Sequence, residues 1–246
     1  MQRHAKYWVK FIGILLLAGC ATGGPPSSGI DNDQLPMYGG VDRQADPRLR
    51  AADEKLVAKF TQEFGGRPAA AQALVDQGIR DFQGGDYAAA MKNFNRAWLL
   101  DPDNPDPYWG FAMVYDDQGK SCDAKIMIDK ALERNLSKPV ALADAGRIYT
   151  YCAVSDAALM ASEKRRYFEK SEELYSRSVS LAPTNANLFG SWAIAQYWRG
   201  HYADAWKMIK RQRALGGTPG ESFLNLLRAK MPEPKGRFNG RQASPK

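Results

Sequence analysis

The sequence predicts an all-α solenoid, in which helix-turn-helix units stack side by side. Three segments repeat one pattern, a turn glycine followed by helix-forming residues, and they begin at Gly85, Gly119 and Gly200. The first two glycines are 34 residues apart, and Pro102 and Pro183 end two of the helical runs. Proline cannot continue a helix, and a fixed period of this length indicates repeated helix pairs. One pair cannot bury its apolar face alone, so the pairs should share a core.

The pattern divides the chain into four units, with a capping helix at each end of the stack. Apolar residues recur at helical spacing in both end segments, which predicts that each one packs a single face onto the stack. Together these elements form one predicted domain, residues 46–231. The units span about residues 71–104, 105–138, 139–185 and 186–217, and the capping helices span 47–64 and 219–231.

The spacing of small and aromatic residues resembles the tetratricopeptide (TPR) repeat. In the first unit the matching residues are Leu74, Gly78, Gly85, Ala90, Phe94, Ala97 and Pro102, whereas Asp81 departs from the pattern. In the second unit they are Tyr108, Ala112, Tyr115, Gly119, Ala124, Ile128 and Ala131, with Leu136 in place of proline. Small residues let two helices cross closely, and the aromatic residues fill the space opposite them. The resemblance implies a superhelix whose first helices line a concave groove.

The third unit is longer than the others by about thirteen residues. The extra residues lie near "SDAALMASEKRRYF", which contains no glycine or proline and is rich in helix formers. This composition favours two lengthened helices that form a protruding hairpin over a long loop.

The first twenty residues predict export and lipidation. Arg3, Lys6 and Lys10 give the first residues a positive charge, and the apolar run 11–18 follows them. This run is too short to span a membrane. The arrangement is typical of a signal peptide over residues 1–19. The run ends in Leu17-Ala18-Gly19-Cys20, which resembles the lipobox of bacterial lipoproteins. The resemblance implies a lipid anchor on Cys20, and Ala21 after it favours the outer membrane, facing the periplasm. The alternative is an ordinary signal peptide with a chance cysteine.

Both ends of the predicted domain carry segments that are too polar to fold alone. Residues 20–45 are rich in Gly, Pro, Ser and Asp and predict a flexible tether. Within it, Met37-Tyr38-Gly39-Gly40 could dock on the domain or on a partner, although a turn in a spacer is the favoured interpretation. Residues 232–246 predict a disordered basic tail. The formal charge of +7 falls to about +4 without the signal peptide, and most of it lies in this tail, which argues against a nucleic-acid surface.

Two further cysteines lie in the predicted TPR domain. Cys122 starts the second helix of the second unit, and Cys152 ends the first helix of the third unit. These helices should be antiparallel neighbours, and the expected compartment is oxidising, so a disulfide is favoured over two separate buried thiols.

The sequence contains no constellation typical of catalysis. His4 falls in the signal peptide and His201 in a repeat turn, and no metal, phosphate-loop or nucleophile motif occurs. We therefore expect no enzyme, no cofactor, no metal and no small-molecule substrate.

The predicted function is that of a membrane-tethered adaptor. The TPR resemblance places eleven residues on the groove, where aromatic residues and methionine are typical of protein-binding hot spots. These residues could instead pack on the caps or on the next unit. The expected partner is a protein or peptide segment of an envelope machine, such as a pilus, secretion, outer-membrane or cell-wall complex. The alternative is an envelope protein that binds cell-wall glycan or lipid through its basic tail. The groove residues are Val75, Ile79, Phe82, Trp109, Met113, Asp116, Arg147, Tyr151, Ile194, Tyr197 and Trp198.

Overall fold

A computed structural model of the protein describes residues 33–234, and within this range it contains ten α-helices and no strand. The predicted signal peptide, Cys20 and residues 235–246 of the predicted tail lie outside the described residues. The helices are α1 (Pro47–Phe64), α2 (Arg67–Gly84), α3 (Tyr87–Leu100), α4 (Pro105–Asp117), α5 (Ser121–Glu133), α6 (Pro139–Ser155), α7 (Ala161–Leu181), α8 (Ala186–Trp198), α9 (Tyr202–Ala214) and α10 (Glu221–Lys230).

The helices form four consecutive pairs, α2 with α3, α4 with α5, α6 with α7, and α8 with α9. A sharp turn joins the helices in three of the pairs, and the glycine in it has a positive φ of 84° at Gly85, 75° at Gly119 and 80° at Gly200. This left-handed conformation costs glycine little because it has no Cβ. The all-α helical repeat solenoid predicted from the sequence is confirmed.

Pairing of small and aromatic residues holds neighbouring units together. The Phe94 ring is fully buried between α2 and α4, where a Cβ added to Gly78 or Gly110 would lie 2.5 Å from it. Tyr175 of α7 is also fully buried, and a Cβ added to Gly146 would lie 2.8 Å from its ring. The glycines are therefore needed for close packing and not for flexibility.

The third pair is longer than its neighbours, as its composition predicted. α6 has 17 residues and α7 has 21, whereas α4, α5, α8 and α9 have 13 each. We call α6, α7 and their connection the long hairpin. A disulfide between Cys122 and Cys152, with the Cα atoms 4.7 Å apart, joins its stem to the start of α5. That separation lies within the range that a disulfide requires.

The chain before α1 differs from the flexible tether predicted over residues 20–45. Residues 33–45 pack against the domain, because Tyr38 is buried and Asn95 of α3 binds the segment at three points. The Asn95 amide donates to the carbonyls of Asp33 and Leu35 at 2.9 Å each and accepts from the Tyr38 N–H at 3.2 Å. The tether prediction is therefore wrong over this part, and Met37–Gly40 belongs to a docked turn.

Arg43 secures the end of this segment. Its guanidinium donates to both carboxylate oxygens of Asp53 in α1, at 2.6 and 2.8 Å, and lies 4.0 Å from the centre of the Tyr38 ring. Burial of the Tyr38 hydroxyl raises its pKa to about 12. Polar composition predicted disorder here, but one buried tyrosine and four strong polar contacts hold the segment in place.

None of the helices in residues 33–234 combines the length and the apolar character needed to cross a lipid bilayer. At the C-terminal end, Glu233 accepts from Arg213 of α9 at 2.6 Å, so the first residues of the predicted tail lie against the last repeat.

Candidate protein-binding face

The first helices of the four units, α2, α4, α6 and α8, lie side by side and form one surface, which we call the first-helix face. All eleven predicted groove residues belong to these four helices. The structure divides them into residues that are buried inside the stack and residues that reach solvent.

On α2, the predicted residues belong mainly to the interior. Val75 is fully buried in a cluster with Leu74 and Ala97, so it is part of the core and not of a groove. Ile79 and Phe82 are half-buried, and the Phe82 ring lies 5.8 Å from that of Tyr87 on α3 of the same unit. Predicting Val75 as a binding residue is wrong, because it is fully buried in the cluster that α2 forms with α3.

On α4, Trp109 and Met113 are buried, each with 8% of its surface exposed. The indole Nε1 of Trp109 donates to Asp144 of α6 at 3.1 Å. Both residues therefore join neighbouring units, and assigning them to an open groove is also wrong. The sequence analysis allowed for this packing but did not favour it.

The next turn of the same two helices is held by charge. Arg147 of α6 pairs with Asp116 of α4 and with Asp144 one turn earlier on its own helix, at 3.1 Å. Ser121 also donates to Asp116, at 3.0 Å. Burial lowers the pKa of Arg147, but the attraction of Asp144 and Asp116 outweighs it, so the pKa lies above its ordinary value.

We call the α4–α6 part of the first-helix face, with Trp109, Met113, Asp116, Asp144 and Arg147, the closed part. There, the polar side chains of neighbouring units already form hydrogen bonds and ion pairs with one another. A client would have to compete with bonds that already exist within the chain.

The end of the first-helix face is different, and we call Tyr151, Ile194, Tyr197 and Trp198 the open part. Trp198 is 51% exposed although it is a large aromatic residue. Its ring packs edge-on against Tyr151 of α6 at 6.3 Å and against Tyr197 at 5.6 Å. Burial raises the pKa of Tyr151, whereas the nearby Arg147 lowers it by a smaller amount.

A cleft adjoins the open part. It has a volume of about 230 Å³ and lies between α8, the end of α9 and the start of α10, next to Ile194. Asn187, Gly190 and Ile194 line it from α8, and Phe223 of α10 lines it from the other side. Exposed aromatic surface and an apolar cleft therefore follow one another along the same helix.

Two acidic residues that join neighbouring units were not predicted from the sequence. Asp144 binds Trp109 and Arg147, and Glu172 of α7 accepts from Trp192 Nε1 at 3.2 Å, from Gln196 Nε2 at 2.8 Å and from Arg199. The i,i+3 spacing of Asp144 and Arg147 could have indicated the first. No sequence signal marked Glu172, because it lies on the lengthened α7, where the repeat register is lost.

The geometry contains no metal-binding cluster of three or more His, Cys, Asp or Glu residues in the part of the chain from 33 to 234. A family model described as TPR repeat matches residues 78–119, which run from the end of α2 through α3 and α4 to the turn at Gly119.

Residues 78–119 are therefore similar to a TPR repeat, which supports the helix-pair architecture of this part of the chain. TPR repeat proteins are generally non-enzymatic, and their repeats typically bind protein partners. A comparison with curated proteins found no match.

Proposed function

We propose that this protein is a lipid-anchored periplasmic adaptor that binds a segment of a client protein at the open part of its first-helix face. The exposed Trp198 carries the proposal. In a folded chain a large aromatic side chain is normally covered, and tryptophan is among the residues enriched in binding hot spots.

The surroundings of Trp198 support the same site. Tyr151 and Tyr197 fix its ring on two sides, so little rotamer freedom remains to be lost when a client binds. The cleft beside Ile194 offers a place for one apolar side chain of the client. The binding surface proposed here is therefore smaller than the groove expected from the repeat pattern, and lies at one end of the stack.

The membrane anchor rests on the lipobox-like Leu17–Cys20. A chain held there by several acyl groups would stay at the membrane, because each buried methylene contributes about 0.8 kcal/mol. Ala21 favours the outer membrane. A protein with this location and a binding face would support assembly of an envelope machine.

Crosslinking and pull-down from intact envelopes test the site. The bait is the full chain, compared with Trp198→Ala and with the control Ile126→Ala, since Ile126 of α5 is exposed to a similar extent (52%) but lies on a second helix. We expect one dominant partner that is retained by the control and lost with Trp198→Ala. Equal recovery with both variants would place binding elsewhere.

The anchor is tested separately. Cells that express the full chain are labelled with a fatty-acid analogue, and Cys20→Ser is compared with the parent chain. We expect label and membrane fractionation to be lost together in the variant. If the label persists in Cys20→Ser, the anchor is not at Cys20, whatever the outcome at Trp198.

A further inference from the structure

The long hairpin ends in a tip on which several apolar side chains are exposed, whereas Asp156 and Leu159 are half-buried. We define the tip as residues 154–160. Met160 is 65% exposed, Val154 is 39% exposed, and Ala157 and Ala158 are also exposed. Extra helical length carries this tip outwards. At 1.5 Å per residue, α6 extends about 6 Å and α7 about 12 Å beyond a helix of 13 residues.

The tip is built rigidly. Asp156 accepts from the Ala158 N–H at 2.8 Å, and Glu163 accepts from the Met160 N–H at 3.2 Å, so both polar side chains are used to order the turn. Below the tip, the Cys122–Cys152 disulfide joins the stem to α5, and Tyr149 packs edge-on against Tyr167 at 5.6 Å. The apolar side chains are thus held in solvent by ordered backbone.

Three consecutive basic residues, Lys164, Arg165 and Arg166, follow directly behind the tip, and we call them the basic collar. The side chains of Arg165 and Arg166 are 75% and 70% exposed, and their nearest carboxylates, Glu169 and Glu163, are 4.0 and 3.8 Å away. Basic residues this close to the start of a helix gain nothing from the helix dipole, which favours acidic residues there. The helix dipole therefore does not explain the collar, and the i,i+3 and i,i+4 pairs with Glu163 and Glu169 stabilise the helix only weakly.

We propose that the tip of the long hairpin is a contact site for an anionic lipid bilayer. The exposed apolar residues enter the boundary between headgroups and acyl chains, while the basic collar binds the phosphate groups above them. A lipid surface fits this tip better than a protein does. Basic side chains follow the exposed apolar ones directly, which matches the order of acyl chains and phosphate groups in an anionic bilayer, and a bilayer needs no matching pocket.

This contact is independent of the proposed client site. It would add a second point of attachment and so restrict the orientation of the domain on the membrane. Each basic residue near an anionic surface raises the binding constant roughly fivefold, so the three residues of the basic collar give a modest affinity. Salt screens this attraction, so the affinity should fall as the salt concentration rises.

The test uses the full chain with Cys20→Ala, in which an environment-sensitive nitrobenzoxadiazole probe is attached to Met160→Cys. The matched control carries the probe on Ile126→Cys, at a similarly exposed position away from the tip. Both proteins are mixed with vesicles of phosphatidylglycerol and of phosphatidylcholine. Because the probe reports only its own surroundings, attachment through another part of the chain does not imitate the result.

We expect a blue shift and increased emission at position 160 with phosphatidylglycerol only, no change at position 126, and a signal reduced at least about tenfold by Arg165→Glu/Arg166→Glu. The proposal is overturned if the emission of the probe at position 160 does not change with either kind of vesicle. A protein, and not a bilayer, would then be the partner that covers the tip. An equal response at 126 excludes a role of the tip, and an equal response to phosphatidylcholine excludes the collar.

Discussion

The closed and open parts of the first-helix face both lie on first helices of the repeat but have opposite fates. Trp109 in the closed part is buried and bonded to the next unit, whereas Trp198 in the open part is half exposed. The difference lies in the neighbour. α6 presents Asp144 and Arg147 to α4, while the short α10 is the last helix beside α8, where its Phe223 lines the cleft around Ile194 and lies 5.7 Å from the Tyr197 ring. A place on a first helix therefore does not by itself decide whether an aromatic residue is exposed.

The largest expected effect is on stability, at Trp109. Trp109→Ala removes a buried indole and leaves Asp144 without that donor, so we expect the free energy of unfolding to fall by about 3–5 kcal/mol. Trp198→Ala at the half-exposed tryptophan should cost less, about 1 kcal/mol, since mainly its ring contacts with Tyr151 and Tyr197 are lost. Urea unfolding followed by circular dichroism measures both. Similar losses in the two variants would remove the distinction between closed and open parts.

A smaller loss is expected from the charged contact of the closed part. Arg147→Ala leaves Asp116 buried without its cation, and because Arg147 keeps some contact with solvent we expect a cost of about 3 kcal/mol, the lower end for a broken buried pair. Arg165→Ala on the surface should cost less than about 0.5 kcal/mol. Thermal or urea unfolding of both variants gives the comparison. A cost below about 1 kcal/mol at Arg147 would mean that charge does not close this part of the face.

The smallest effect should appear at the boundary between the two parts. Burial raises the pKa of Tyr151 above its usual value, and a hydrogen bond with Trp198 lowers it by a smaller amount. Trp198→Phe keeps an aromatic ring beside Tyr151 but removes the indole N–H, so this pKa should rise and less of Tyr151 should be ionised at a given alkaline pH. An isotope-labelled tyrosine NMR titration measures it, with the fully buried Tyr175 as the internal control.

The sign of the linked stability change is fixed. A tyrosine whose folded pKa is raised stabilises the fold fully below its unfolded pKa of about 10, and that stabilisation is lost as the pH rises further. In Trp198→Phe the loss above pH 10 should therefore be larger than in the parent chain. If the pKa of Tyr151 stays unchanged or falls in the variant, the indole N–H of Trp198 does not bond Tyr151, and the open part is looser than the ring contacts indicate.

Much of the fold could be predicted because the repeat signal is local. The turn at Gly85, and the contact of the small Gly78 with Phe94, follow from the spacing of residues along the chain. Both are present in the structure. The docked segment 33–45 could not be predicted in the same way. Its composition is that of a tether, and what orders it is Asn95, a residue about sixty positions away.

The candidate site shows the same limit in sharper form. The TPR resemblance placed all eleven residues on the four first helices, yet it grouped Val75 and Trp109, which are buried, with Trp198, which is exposed. Burial at such a position depends on the side chains of the next unit. Those residues lie about one period further along the chain, and they differ from unit to unit.

By itself, the sequence determined the helix pairs and the lengthening of the third unit, because propensity, glycine turns and apolar spacing act within a few turns of the chain. Only the tertiary structure decided which aromatic residues remain open, how Asp144 and Glu172 join neighbouring units, and that an apolar tip with a basic collar projects from the stack. These features depend on contacts between residues far apart in sequence, and on which surfaces the packing leaves uncovered.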